Sequence, residues 1–462
     1  MKKMRFLSFI LSLCLILSVF TVTIPAENIE TEVLRGDANS DGAVNLKDLI
    51  LLRRYFAYFD YSSGVSLVEI SKSADMNGDG NIGLQDIGLL RKYLVDRDTE
   101  NGDNEVFDLV DFTVSVPSDR EPVILQITDT QIIDSTGTGK WSFWAADKMG
   151  VECFDYITEI VEQNKPDLIL LTGDMVYGEY DKNGTSFMAL IELMESFNIP
   201  WAPIFGNHEA ESAMGIDWQC AQLEAAENCL FMQRELTGNG NYTVGIKQGG
   251  ELTRVFFMVD SNGCNNPSEE SLKNTHLKNR SGFGADQIEW YTSLINNIKS
   301  LSPATKFSFA FHTQLKVFLD SFNTYTESDT GTAFIDRIDD KNNSDFGYIG
   351  DERNVGFDSD YTIWNGLKAL GVDSIFVGHM HSQSASIVYE GIRLQFGMKS
   401  STYDRINYVN SDGTIEAGYR LSGKTPWVGG TVMKLSPDGD ISDAYIYYCQ
   451  NAGGSIDWDS LE

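Results

Sequence analysis

The chain has 462 residues, a hydrophobic fraction of 42% and a formal net charge of −32 at pH 7. That length accommodates two or three domains, and the apolar content is that of a globular protein rather than a disordered one. So acidic a surface repels polyanions, which argues against a nucleic-acid groove.

At the N-terminus, Lys2, Lys3 and Arg5 precede an apolar run from Phe6 to Phe20, followed by Thr23-Ile24-Pro25-Ala26. This pattern predicts a secretory signal peptide over residues 1–26, cut after Ala26. A membrane anchor is the alternative, but the apolar core is short of the roughly 20 residues that a span needs. No later segment suits a span either, so none is expected after cleavage. The cysteines beyond the signal are Cys153, Cys220, Cys229, Cys264 and Cys449. They are sparse and odd in number, unlike a disulfide scaffold or a zinc site. Cys220 and Cys229 either pair locally or remain buried thiols.

An internal repeat follows. "GDANSDGAVNLKDLILLRRYF" starts at Gly36 and "ADMNGDGNIGLQDIGLLRKYL" at Ala74. Each holds a twelve-residue loop with oxygen side chains at positions 1, 3, 5 and 12 and glycine at position 6. The oxygen set is Asp37, Asn39, Asp41 and Asp48 in the first loop, and Asp75, Asn77, Asp79 and Asp86 in the second. Hard oxygen donors on a tight turn predict two calcium sites, each leading into a helix. No amphipathic helix precedes the first loop, unlike a paired-helix calcium sensor. Residues 34–97 resemble a dockerin module, a small all-α calcium-binding domain that docks enzymes onto cohesin domains of cellulosome-type scaffolds. The resemblance implies two bound Ca2+ and a cohesin partner, met by the basic pairs Arg53-Arg54 and Arg91-Lys92. Solvated charge is the alternative reading of those pairs.

Residues 98–108 are polar and lack an apolar period, as expected of a linker. Beyond them, over 109–462, strands alternate with helices, the pattern of an α/β domain. "VILQITDTQ" runs into Asp129, "PDLILLTGD" into Asp174 and "IPWAPIFGNHE" into Asn207 and His208. "KFSFAFHT" ends near His312, and "VDSIFVGHMH" at His379 and His381. Strand ends in α/β proteins are where binding chemistry collects. The chain has only five histidines; four fall at strand ends beside these carboxylates, and His276 lies in a polar loop. Mixed nitrogen and oxygen donors suit Fe, Mn or Zn rather than calcium. A carboxylate that bridges two such ions holds them about 3.5–4 Å apart for attack on phosphorus.

In order along residues 120–400, "DTQ", "GDMVYG", "GNHE", "FHT" and "GHMHS" resemble the calcineurin-like metallophosphoesterases, in the branch related to purple acid phosphatases. The resemblance implies a sandwich of two mixed β-sheets flanked by helices, with the site at the loop edge. It implies that Asp174 bridges two transition-metal ions, with Asp129 and His381 on the first and Asn207, His312 and His379 on the second. It gives His208 the catalytic role of orienting phosphate and protonating the leaving group.

The first block departs from the family's Asp-x-His, for Gln131 stands where the histidine would be. Three readings stay open: an inactive site, weak coordination by Gln131, or replacement by another side chain. Tyr177, three residues after Asp174, matches the GDxxY of purple acid phosphatases, whose tyrosinate binds ferric iron; packing in the loop is its plain alternative. Substrate contacts are expected from the loops after Asp174 and "GNHE", from residues 318–360 with Tyr325, Phe334, Phe346 and Tyr348, and from Trp141 and Trp144. Self-packing of the long loop is equally open.

The expected function is secreted, cellulosome-associated hydrolysis of phosphate monoesters through a metal-bound hydroxide, with attachment to a cohesin scaffold. A phosphodiesterase with the same metals, and an inactive cohesin-bound interaction protein, are the alternatives.

Overall fold

The computed structural model describes residues 34–449 except 41, 45, 58, 61–64, 67, 79, 84–85, 91–92, 94–105, 134–150, 264–281, 328–330, 336–344, 420 and 422–423. The expected signal peptide, Asp41, Asp79, Arg91, Lys92, Trp141, Trp144, Cys264, His276 and the side chains of Arg53 and Arg54 lie outside that description. No helix among the described residues is long and apolar enough to cross a membrane.

In the first repeat, helix α1 (Leu46–Ala57) follows the loop. Strands β1 (Phe59–Asp60) and β2 (Val65–Ser66) pair antiparallel, a small addition to an otherwise helical module. The two loops make the same hydrogen bonds. The N–H at position 6 donates to the carboxylate at position 1, Gly42 to Asp37 at 2.9 Å and Gly80 to Asp75 at 2.8 Å. The N–H at position 3 donates to the carboxylate at position 12, Asn39 to Asp48 and Asn77 to Asp86, both at 3.1 Å. Both glycines lie at φ +86°, a backbone state that side chains resist. Asp48 and Asp86 are buried, and Ala38, Val44, Leu49, Leu52, Ala74 and Leu90 form the module's own small core. The donor set around each loop is oxygen only, which fits calcium.

Val106 is buried and Phe107–Leu109 forms a short 3-10 turn. Residues 106–108, expected as the end of the linker, thus belong to the folded body of the second domain. There β3 (Phe112–Val116) and β4 (Val123–Ile127) lead to α2 (Val151–Asn164), β5 (Leu168–Thr172), α3 (Thr185–Ser196), β6 (Trp201–Ile204) and α4 (Ile216–Ala225). Then come β7 (Tyr242–Gln248), β8 (Glu251–Met258), α5 (Ala285–Leu301), β9 (Lys306–Ala310) and α6 (Val317–Phe322). A hairpin of β10 (Ala333–Ile335) and β11 (Gly347–Ile349) precedes α7 (Thr362–Ala369), β12 (Ser374–Val377), β13 (Ser386–Tyr389) and β14 (Ile392–Phe396). The chain closes with β15 (Arg405–Val409), β16 (Ile415–Tyr419), β17 (Thr425–Trp427), β18 (Gly429–Leu435) and β19 (Ile441–Tyr448).

Two mixed sheets result. One has five strands in the order β19-β18-β4-β5-β6, with β4, β5 and β6 parallel. The other has seven in the order β13-β14-β12-β9-β8-β7-β3, with β8, β9, β12 and β14 parallel. Every residue of β5 and β6 is buried, as continuous apolar runs are when a sheet is covered on both faces. In α2, Cys153, Tyr156, Ile157, Ile160 and Val161 are buried on the sheet-facing side, spaced for one helical face. Buried polar ties also join the sheets: Gln126 Nε2 donates to Val377 O at 3.0 Å and Tyr242 Oη to Pro203 O at 2.5 Å. Parallel strands therefore deliver their C-terminal ends to one edge.

Cys220 and Cys229 are buried and are not joined in a disulfide. The aromatic residues of the long loop divide. Phe346 and Tyr348 are buried, the latter against Trp427 at 5.3 Å, while Phe334 is 44% exposed and stacks on the same tryptophan. The β15–β17 sheet is tied to the loop after β12 by Asn407 Nδ2 donating to Ser382 O at 3.0 Å.

Candidate metal centre

Each candidate donor sits in the first turn after a parallel strand, and several stand in strained backbone. Asp129, Gln131, Asp174 and His379 have φ of +52°, +42°, +49° and +77°. Left-handed conformations at non-glycine residues are costly and gather at functional sites. The turns are held open to one another by small residues. A Cβ on Gly206 would overlap the Asp174 carboxylate, and one on Gly378 would overlap Thr128, so glycine is required before Asn207 and before His379 for close approach.

Two donor groups share one carboxylate. Asp174, His312 and His379 offer atoms within 4.8 Å of one another, and so do Asp129, Asp174 and His381. Asp174 is 1% exposed. Its Oδ1 accepts from the backbone N–H groups of Asn207 at 2.8 Å and His208 at 3.0 Å, which leaves Oδ2 for the site. His312 Nε2 lies 3.2 Å from Asp174 Oδ2 and 3.2 Å from Asn207 Oδ1. His379 Nδ1 meets the same Asn207 oxygen at 2.8 Å. His312 Nδ1 faces the Thr172 carbonyl at 2.9 Å. A carbonyl only accepts, so Nδ1 carries a hydrogen and Nε2 is the nitrogen that would face an ion. Burial lowers the His312 pKa, but Asp174 and Asp129 outweigh that and raise it to about 10, so Nε2 is protonated toward Asp174 here. On the other side, His381 Nε2 lies 3.4 Å from Asp129 Oδ1 and its Nδ1 3.5 Å from Asp404 Oδ2.

The charges answer one another. Burial alone would raise the Asp129 carboxyl, but the His381 hydrogen bond and the charges of His312 and His381 bring it down to about 2. Against its own burial penalty, His312, His208 and His379 hold Asp174 well below the usual carboxylate range. Burial and the neighbouring His312 push His379 down to about 3, so it is a neutral imidazole with a free lone pair. Nitrogen and carboxylate oxygen converge in two groups around one bridging carboxylate, which fits a pair of borderline transition-metal ions.

His208 stands beside these donors with a separate orientation. Its Nδ1 bonds Glu211 Oε2 at 2.7 Å, and its Nε2 lies 4.0 Å from Asp174 Oδ2. Burial lowers its pKa, but Asp174 and Glu211 outweigh that and raise it to about 9. Tyr177 packs against the His208 ring, with centroids 4.3 Å apart and ring planes tilted by 31°. Its phenol is pushed upward by burial and by Asp404 and Glu211. Glu209 is buried beneath the donors. Its Oε1 accepts from Met175 N at 2.5 Å and its Oε2 from Gly206 N at 2.7 Å, pinning the Asp174 and Asn207 turns together. Gln131 is wholly buried, and its Oε1 accepts from Lys399 Nζ at 2.6 Å. Burial holds Lys399 below the usual lysine range, and Asp129 and Asp404 offset this only in part.

Glu209, Glu211, Lys399 and Asp404 were not among the residues expected from sequence. Glu211 was legible three places after His208; Lys399 and Asp404 lie in turns with no motif around them.

Comparison with known proteins places the chain in a family. Residues 122–383 match the family model described as calcineurin-like phosphoesterase, and residues 35–95 that described as Dockerin type I domain. Strands β13, β14, β18 and β19, beyond the first match, complete both sheets. The chain is 24% identical over 262 residues to "Probable inactive purple acid phosphatase 29" of Arabidopsis thaliana, covering 52% of this chain and 61% of that one. It is 30% identical over 102 residues to that plant's "Probable inactive purple acid phosphatase 14", covering 20% of this chain and 25% of that one. The chain spans about a quarter of the length of the first curated relatives it matches. A dimetal phosphatase from Danio rerio aligns with 71% of this chain and 98% of its own, at 10% identity and a TM-score of 0.39. The chain belongs to the calcineurin-like phosphoesterase family and carries a dockerin type I domain ahead of its α/β domain.

Proposed function

We propose that this protein is a secreted hydrolase of phosphate monoesters, anchored to a cohesin scaffold through residues 34–97. The observation that carries the catalytic reading is the pair of donor groups sharing Asp174, with His208 beside them. Asp129, Asp174 and His381 would hold one transition-metal ion, and Asp174, Asn207, His312 and His379 the other. Bound ions of this kind supply Lewis acidity to phosphoryl oxygens and lower the pKa of a water for in-line attack. The chain's own residues do the rest. Asp174 fixes the spacing of the two positions. Glu211 accepts the Nδ1 hydrogen of His208 and directs Nε2 toward the site, where it carries the proton needed by the leaving oxygen. Tyr177 braces that ring and is the proposed fourth donor to the first ion when the ion is ferric. Iron-loaded protein should then show a visible charge-transfer band that Tyr177→Phe removes; a colourless iron-loaded protein would reject the role.

The metal-stripped full chain, reloaded with Mn2+, Zn2+ or iron, should cleave p-nitrophenyl phosphate faster than bis(p-nitrophenyl) phosphate. The opposite preference would favour the phosphodiesterase reading. Three curated relatives are named probable inactive purple acid phosphatases, and no turnover of either ester would favour a non-catalytic, cohesin-bound protein. The two donor groups that share Asp174 support the active reading.

Cohesin attachment rests on the duplicated oxygen loops. Removing calcium with EGTA leaves Asp48 and Asp86 buried and uncompensated by an ion. Cohesin binding should then be lost in a pull-down, as it should in Asp86→Ala. Binding that persists in both would overturn the calcium reading of the module.

A further inference from the structure

The first position is served by fewer side chains than the second, and the reason lies behind Gln131. Lys399, 2% exposed, sends Nζ to the Asp129 carbonyl at 2.8 Å and to Gln131 Oε1 at 2.6 Å. The Gln131 Nε2 group faces Asp174 Oδ2 at 3.4 Å. With Nζ donating to the Asp129 carbonyl and to Gln131 Oε1, the amide oxygen of Gln131 is turned to Lys399 and its nitrogen is left on the Asp174 side. An amide nitrogen has no lone pair to offer an ion. Turning the oxygen toward the site would also strip Lys399 of one of two buried acceptors, which is costly. Lys399 itself is held by the sheet: it bridges Thr128, and its carbonyl accepts from Gly429 N at 3.2 Å.

We propose that Lys399 and Gln131 form one unit that withholds a ligand, leaving the first position, for a divalent ion that Tyr177 does not bind, with Asp129, Asp174 and His381. Resting on the metal reading above, this makes the first ion the weaker and more exchangeable of the two. Occupancy of that position then follows the free metal concentration, and the pair acts as the positioning device that sets it.

The test is a Mn2+ titration of the metal-stripped full chain by calorimetry, with calcium saturating the dockerin loops and thermal melts as a folding check. The wild type should bind in two steps. In Lys399→Met the glutamine oxygen is free to turn, and the weaker step should tighten by roughly 10-fold or more, as changes behind metal ligands do. Gln131→His alone should change that step little, because a histidine bound to the ion through one nitrogen points its other N–H at Lys399, donor against donor. Adding Lys399→Gln to Gln131→His supplies an acceptor and should tighten the step by roughly 10- to 100-fold, a strong departure from additivity. This double variant decides the matter even if Lys399→Met does not fold. Two wild-type steps with Gln131→His tightening equally whether or not Lys399 is present would overturn the inference alone. No Mn2+ step in any variant would overturn it together with the metal reading.

Discussion

Asp174→Ala is expected to lose phosphoester hydrolysis by at least about a thousandfold, because the Lewis-acid contribution of the ions is worth several kcal/mol. The carboxylate does two jobs. Its Oδ2 belongs to both donor groups, and its Oδ1 accepts the backbone N–H groups of Asn207 and His208. Alanine removes the bridge and frees the turn that carries two other site residues. Asp174→Asn separates the effects, since its amide oxygen can keep the backbone bonds while the bridging charge is gone. Both variants should bind about one ion fewer by metal analysis and lose turnover. Both should still bind cohesin in the presence of calcium, since the calcium loops belong to a separate module with its own core. Full activity in Asp174→Asn would remove the shared carboxylate from the account.

His208→Ala should lower kcat by roughly 10²- to 10⁴-fold, the usual range for losing a positioned proton donor. Metal content should stay near that of the wild type, because His208 reaches Asp174 only at 4.0 Å and spends its other nitrogen on Glu211. The loss should grow as the leaving group becomes more basic, from nitrophenyl to alkyl phosphates, since a poor leaving oxygen needs the proton most. Glu211→Gln should show the same trend more weakly. An equal loss for every leaving group would make His208 a phosphate-orienting residue only.

Much of the site could be read in the sequence because strand ends are local. Asp129, Asp174, Asn207, His312 and His379 each follow an apolar run that could only be a buried strand, and parallel pairing brings such ends together whatever their separation. The glycines before Asn207 and His379 were equally legible, as they leave room for a neighbouring turn. Side-chain pairs across distant turns were not. Nothing near Gln131 announces Lys399, which lies 268 residues away in sequence, and nothing near His381 announces Asp404. Both partners lie on turns after β14, set by the course of the seven-stranded sheet rather than by any spacing. The aromatic loop was ambiguous for a similar reason: Phe346 and Tyr348 alternate as in any strand, and Tyr348 is buried by distant residues, Met398, Val409 and Trp427.

Anomalous diffraction from crystals of the full chain saturated with Mn2+ tests the central claim most directly. Two peaks roughly 3.5–4 Å apart, one on each side of Asp174, are the predicted result, with His381 against the first and His312 and His379 against the second. Crystals in which no Mn2+ peak lies beside Asp174 would contradict the account.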